Sequence, residues 1–136
     1  MLKNLYIPLL LLLVSITACN KKDVRQQLEG TWQGKDFADE MLEGVDEEER
    51  EIGRQFIQKI FYTFNADGSC IKKAPDGENK ASWEYNDRSR SIIITYTDNH
   101  QPPIQEFEIK SITGDELKIS SGPTGFGSLD FIFEKK

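Results

Sequence analysis

The side chains able to do chemistry in this sequence are few and scattered. The single histidine, His100, lies in Asp98-Asn99-His100-Gln101-Pro102-Pro103. An imidazole works as a general base only within reach of a nucleophile or a reacting proton, and no nucleophile motif lies beside it. It reads as a solvated loop residue. The two cysteines, Cys19 and Cys70, stand far apart, and no Cys/His cluster has zinc-ligand spacing. Asn65-Ala66-Asp67-Gly68 looks superficially like part of a calcium loop, but Thr63 holds the first-ligand place, so a β-turn is the better reading. Ser121 to Gly127 (SGPTGFG) is rich in glycine yet lacks the lysine of a phosphate-binding loop. It reads as a hairpin loop with Phe126 at its tip, placed to gate a mouth or to cover a core. Asp46-Glu47-Glu48-Glu49 spreads its carboxylates along a helix instead of converging them from a loop, which favours a solvated face over a calcium site. This inventory argues against an enzyme and calls for no cofactor and no metal.

The start of the chain has a different character. Lys3 is followed by an apolar run from Leu5 to Ile16. The run is shorter than the roughly 20 residues that span a bilayer as a helix. A short basic end, a short apolar stretch and then small residues read as a secretory signal peptide. Ile16-Thr17-Ala18-Cys19 resembles the lipobox of bacterial lipoproteins. The resemblance implies a diacylglyceryl group on the Cys19 thiol, removal of residues 1–18, and usually acylation of the new amine. A single acyl chain binds membranes only marginally, whereas two or more anchor stably. The membrane would thus be a partner through lipid alone. Asn20 follows the cysteine, where enteric lipoproteins retained at the inner membrane carry Asp, so the resemblance implies the outer membrane of the cell envelope.

Removal of residues 1–18 takes away one charge, Lys3, and leaves the mature chain one unit more acidic than the full-length value of −6. That balance excludes nucleic acid, whose phosphates require basic patches. It also disfavours a second attachment through anionic lipids. With Cys19 lipidated, Cys70 has no partner in the chain and reads as a buried, small apolar residue, the alternative being a reactive thiol.

The elements that would position any site come from the periodicity. Residues 19–27 read as a lipidated, polar tether; the eight residues of Asn20 to Gln27 reach at most about 26 Å. A single domain spans 28–136. It opens at Leu28 to Trp32 with a short strand. Asp36 to Glu43 carries helical signals through Phe37, Met41 and Leu42. Asp46, with Glu49 three residues on, caps a helix whose apolar stripe is Ile52, Phe56 and Ile60. Glu47 with Arg50 and Glu51 with Arg54 form surface pairs. From Ile60 the period becomes two. Strands are expected at 60–64, Ser69–Ala74, Ala81–Asn86, Ser91–Thr97, Ile104–Ile112, Glu116–Ser120 and Leu129–Glu134, joined by tight turns. Closure removes sheet edges. The expected fold is therefore all-β: a small antiparallel up-and-down barrel of eight strands, with the helix between the first and second.

Leu28-Glu29-Gly30-Thr31-Trp32 resembles the Gly-x-Trp opening of lipocalins. With the Phe64 to Gly68 hairpin and Trp83-Glu84-Tyr85, it is similar to the lipocalin-like lipoproteins common in Bacteroidetes. The resemblance implies that Gly30 and Trp32 close one barrel end. Lipocalins stack an arginine from near the chain end on this tryptophan; here Lys135 is the candidate substitute. The helix also comes early, where many lipocalins place theirs after the strands. The interior candidates, and hence candidate ligand contacts, are Tyr62, Phe64, Trp83, Tyr85, Tyr96, Phe107, Phe131 and Phe133. An eight-stranded barrel is either just filled by side chains or holds one small ligand. Each aromatic buries roughly 150–250 Å², so both outcomes stay open.

Two functions follow. The first is a lipid-anchored envelope protein carrying a small hydrophobic ligand in its barrel. The second is a protein–protein module, such as a lysozyme or protease inhibitor, acting through loops 98–103 and 121–128. The lipobox reading has a direct test. Labelling with radioactive palmitate should tag the wild-type protein and leave Cys19→Ala unlabelled; an unlabelled wild type rejects it.

Overall fold

The computed structural model describes residues 23–38, 43–124 and 127–136. The leader, Cys19, the first part of the tether, Met41, Leu42 and Phe126 lie outside the described residues. The elements run α1 (Val24–Leu28), β1 (Gly30–Phe37), α2 (Glu47–Ile57), β2 (Phe61–Phe64), β3 (Ser69–Ala74), β4 (Gly77–Asn86), β5 (Ser91–Tyr96), β6 (Ile104–Ile112), β7 (Glu116–Thr124) and β8 (Gly127–Lys135). Each strand pairs antiparallel with the next, and β8 pairs with β1 to close an eight-stranded barrel. The fold is the one the period-two pattern predicts, with α2 between the first and second strands.

Several boundaries differ. The tether was expected to run to Gln27, but residues 24–28 form a helical turn. Asp23 caps it, accepting from the Gln26 N–H at 2.8 Å while its own N–H donates back to the Gln26 side chain at 3.4 Å. An apolar-period search misses so short an element because only Leu28 is fully buried. β1 runs on to Phe37, into the stretch read as helical, because its last residues pair with β8, Asp36 opposite Ile132 and Phe37 opposite Phe131. The expected loop 121–128 is mostly ladder: Pro123 lies opposite Ser128 and Thr124 opposite Gly127. A register irregularity between Ser120 and Pro123 accommodates the proline, which has no N–H to give the ladder.

The helix α2 forms as its cap predicts, with Asp46 accepting from the Glu49 N–H at 2.9 Å. Its packed face is a different one. Ile52 is 64% exposed and Phe56 57% exposed, whereas Ile57 is buried. Two glycines decide this. A Cβ on Gly34 would lie 1.9 Å from the Ile57 carbonyl oxygen, and one on Gly53 would lie 2.9 Å from the Phe37 ring. The helix settles where Ile57 can lie against the Gly34 backbone and the Phe37 ring against Gly53, so Gly53 and Ile57 face the barrel, one residue round from the apolar stripe. Of the expected surface pairs, Glu51 does meet Arg54, which also reaches Asp36 of β1 at 3.2 Å. Arg50 instead donates from Nε to the Val45 carbonyl.

The barrel end near α1 is closed. Trp32 is fully buried and donates from its indole N–H to the Leu28 carbonyl at 2.8 Å. Lys135 of β8 lies with its Nζ 5.0 Å above the Trp32 ring and donates to the Gln27 carbonyl at 3.0 Å. These carbonyls belong to a helix C-terminus, where the last C=O groups have no partner within the helix. Gly30, at φ +125°, is required here, since a Cβ would meet the Lys135 stem at 2.7 Å. Trp32→Ala should cost about 3–5 kcal/mol in denaturant unfolding, as large aromatic truncations do. A change below about 1 kcal/mol would place Trp32 outside the structural core.

The hairpin after β2 sets the register of β3. Gly68, at φ +90°, closes the turn, and Phe64 lies opposite Cys70. Cys70 is buried, and that burial pushes its thiol up to about 12. Aromatic disulfide reagents should leave Cys70 untouched in the folded protein and modify it fully in denaturant. Labelling of the native protein at a free-thiol rate would overturn this register, because a one-residue slip exchanges the faces of a strand.

Candidate ligand-binding cavity

Alternation puts every second side chain inside the barrel, and the interior is filled unevenly. Next to α1, the interior is packed by Leu28, Trp32, Phe64 and Trp83. Phe64 meets Trp83 at 5.0 Å between ring centroids, and Arg25 of α1 covers the outer face of Trp83 at 4.7 Å. A residual space of about 10 Å³ remains beneath Tyr62 and Phe107. Toward the other end the interior opens into a cavity of about 460 Å³. That is within the range of roughly 300–1,000 Å³ found for small-molecule sites.

Three local features build this cavity. A bulge between Gly34 and Asp36 interrupts the alternation of β1. A bulge adds one residue and exchanges the faces beyond it, so Phe37 and not Asp36 lines the cavity. Phe37 meets Phe131 at 5.5 Å. The C-terminal end of α2 contributes Phe56 and Ile57, and the connection to β2 contributes Ile60. The facing strands supply Tyr62, Phe107, Ile119, Leu129, Phe131 and Phe133, which makes the wall predominantly apolar.

Of the eight aromatic candidates, Tyr62, Phe107, Phe131 and Phe133 line the cavity. Phe64 lines only the small space beneath it. Trp83, Tyr85 and Tyr96 line neither; Trp83 and Tyr96 are buried in the barrel interior all the same, and Tyr85 packs against it. Trp83 is taken up by the closed end, where its indole N–H donates to the Asn65 carbonyl at 2.8 Å. Tyr85 is only partly buried, against the edge of the core. Tyr96 is buried, but its ring is covered by His100 at 3.6 Å in a stacked arrangement.

The cavity also carries polar groups that hydrophobic pattern reading passed over: Lys72, Gln105 and Ser121. Lys72 shares a face with Cys70, and Gln105 with Phe107, so alternation alone places both inside; only their polarity hid them. Gln105 Oε1 accepts from the Tyr62 hydroxyl at 3.4 Å and from the Tyr96 hydroxyl. Burial pushes both phenols above their ordinary range, so they stay neutral donors. Lys72 Nζ lies 3.0 Å from His100 Nε2 and 6.0 Å above the rings of Tyr62 and Tyr96. Burial lowers its pKa, and Asp76 acts weakly the other way. His100 Nδ1 lies 2.7 Å from the Pro102 carbonyl. A carbonyl can only accept, so Nδ1 carries the proton and Nε2 is the acceptor for Lys72. His100 is thus half-buried and held on three sides, contrary to its reading as a solvated loop residue. Ser121 Oγ is buried and has no hydrogen-bond partner among the described residues. The arrangement can bind an apolar body and present polar groups to it.

The comparisons with known proteins agree with this geometry. A family model described as a lipocalin-like domain matches residues 28–119, from the end of α1 into β7. Three solved structures share the fold. A DUF4847 family protein from Bacteroides vulgatus is 17% identical with a TM-score of 0.54, covering 80% of this chain and 94% of its own. An uncharacterized protein from Bacteroides eggerthii is 15% identical with a TM-score of 0.52, covering 80% and 99%. A lipocalin-like protein from Bacteroides uniformis is 17% identical with a TM-score of 0.54, covering 81% and 99%. No curated protein matches the chain. With its closed barrel, its buried Trp32 and a family match over most of its length, the chain belongs to the lipocalin-like domain family.

Proposed function

We propose that this protein is a non-enzymatic carrier of a small hydrophobic ligand, held at the bacterial cell envelope by a lipid on Cys19. The observation that carries the first half is the 460 Å³ cavity with its largely apolar wall. A barrel built only for stability would close such a space, because side chains pack to crystal-like density and empty apolar volume destabilises. The lipid anchor rests on Ile16-Thr17-Ala18-Cys19 and the apolar run before it. In this arrangement α1 packs its Leu28 against the barrel's closed end, so the lipid would join the chain a few residues from that end.

The rival reading as an inhibitor of lysozymes or proteases calls for a filled barrel and protruding loops. The cavity favours carriage instead. Loop 98–103 is drawn back onto the barrel, with His100 stacked on Tyr96 and Asp98 accepting from the Lys80 N–H at 3.0 Å. Most of 121–128 is hairpin ladder.

Binding of the neutral fluorophore N-phenyl-1-naphthylamine tests the carrier reading. The wild-type protein should give a saturable, one-site fluorescence increase. Ser121→Phe, which projects a ring into the cavity from a position where only an unpartnered hydroxyl stands, should reduce that increase at least fivefold while keeping the near-ultraviolet circular dichroism of the fold. A wild type without saturable binding rejects the reading.

A further inference from the structure

We propose that the ligand is an amphipathic monocarboxylate whose apolar body fills the cavity and whose carboxylate is held by Lys72 and Gln105. The inference rests on the carrier reading and adds the chemical class of the ligand. It starts from the placement of Lys72. Lys72 stands directly opposite Tyr62 across the β2–β3 ladder, on the inward face of β3. The half-buried side chain lines the cavity, so its ammonium has lost part of its water. Taking a cation out of water is costly unless an anion or several acceptors replace the lost hydration. The protein replaces it only in part. Among the described residues Lys72 makes no ion pair; its one hydrogen bond is to His100, and its other near neighbours are the faces of Tyr62 and Tyr96. An ammonium has three protons to donate, so donor capacity remains.

Gln105 adds a second donor. Its Oε1 is held by two tyrosine hydroxyls, which fixes the amide and leaves its NH₂ without a partner among the described residues. The same two hydroxyls spend their protons on Gln105, so the donors left for a ligand are the ammonium, this amide and the Ser121 hydroxyl. Ser121 Oγ, buried and unpartnered, lines the same cavity. Donors in excess of acceptors, with one positive charge, no carboxylate in the cavity wall and only the weak influence of Asp76 outside it, describe the complement of a single anionic head. A carboxylate matches it in charge and accepts from both groups, and charge-assisted bonds of this kind are about twice as strong as neutral ones. A doubly charged phosphate would bring one negative charge that nothing in the cavity balances. The phenyl and aliphatic wall beyond Lys72 takes the apolar remainder.

Titration calorimetry with decanoate and 1-decanol, in detergent-free buffer on the purified full chain, tests the assignment. The wild-type protein should bind decanoate at least tenfold more tightly than decanol. Lys72→Met, which keeps the length of the side chain and removes its charge, should bind decanol as the wild type does and lose the tenfold preference. Equal affinities in the wild type would overturn the anionic head while leaving the carrier reading intact. A preference that survives in Lys72→Met would overturn the role of Lys72, as would a variant that loses both ligands equally, since Lys72 would then support the barrel and not the head group. A wild type that binds neither ligand would overturn both readings together.

Discussion

The structure depends on the burial of one indole. Trp32 sits where α1, β1 and β8 meet, and its ring is a large apolar surface with a single N–H that must find an acceptor. The Leu28 carbonyl at the end of α1 provides it. Lys135 then lies over one face of the ring and donates to the neighbouring Gln27 carbonyl. Two side chains thus satisfy two carbonyls that a helix end leaves unpaired, and in doing so they hold the first and last strands side by side. The closed barrel, which has no sheet edge, is the consequence.

Closing one end in this way leaves the other to be shaped by backbone. The interior next to Trp32 is filled by Phe64 and Trp83, in ring contact and tied down by Asn65 and Arg25. At the far end the bulge in β1 widens the wall and turns Phe37 inward. The close approach of α2 to Gly34 sets Ile57 at the cavity. The same aromatic supply that would fill a regular barrel therefore packs only part of this one. The cavity lies where the barrel is irregular: the bulge puts Phe37 in its wall, and the glycine contact puts Ile57 there.

The polar side of the cavity is one connected arrangement. Lys72, His100, Tyr96, Gln105 and Tyr62 are linked by hydrogen bonds and ring contacts, and the loop carrying His100 is drawn in by them. Each tyrosine is kept neutral by burial, and the histidine tautomer follows from the Pro102 carbonyl. Such a network holds Lys72 and Gln105 in fixed orientations at the cavity wall.

The sequence alone determined the strand number, the antiparallel hairpin order, the capped helix after the first strand and the inward face of almost every strand. These follow from local rules: period-two alternation, glycine in the left-handed turn at Gly68, and Asp46 at a helix start. They also placed Trp32, Cys70 and the four aromatics that line the cavity. Only the tertiary structure decided the rest. The face of α2 turned on Gly34 and Gly53, whose lack of a side chain matters only when another element approaches, the Ile57 backbone at Gly34 and the Phe37 ring at Gly53. Tyr96 and Trp83 were inward, as alternation requires, yet their surfaces were taken by His100 and by the closed end. Lys72 and Gln105 entered the cavity because faces alternate regardless of polarity, while a reading that looks for apolar residues inside passes them by. Whether the barrel was filled or hollow depended on how its walls come together in space, through contacts such as that of Gly34 with Ile57 between residues distant in the chain, which local periodicity does not encode.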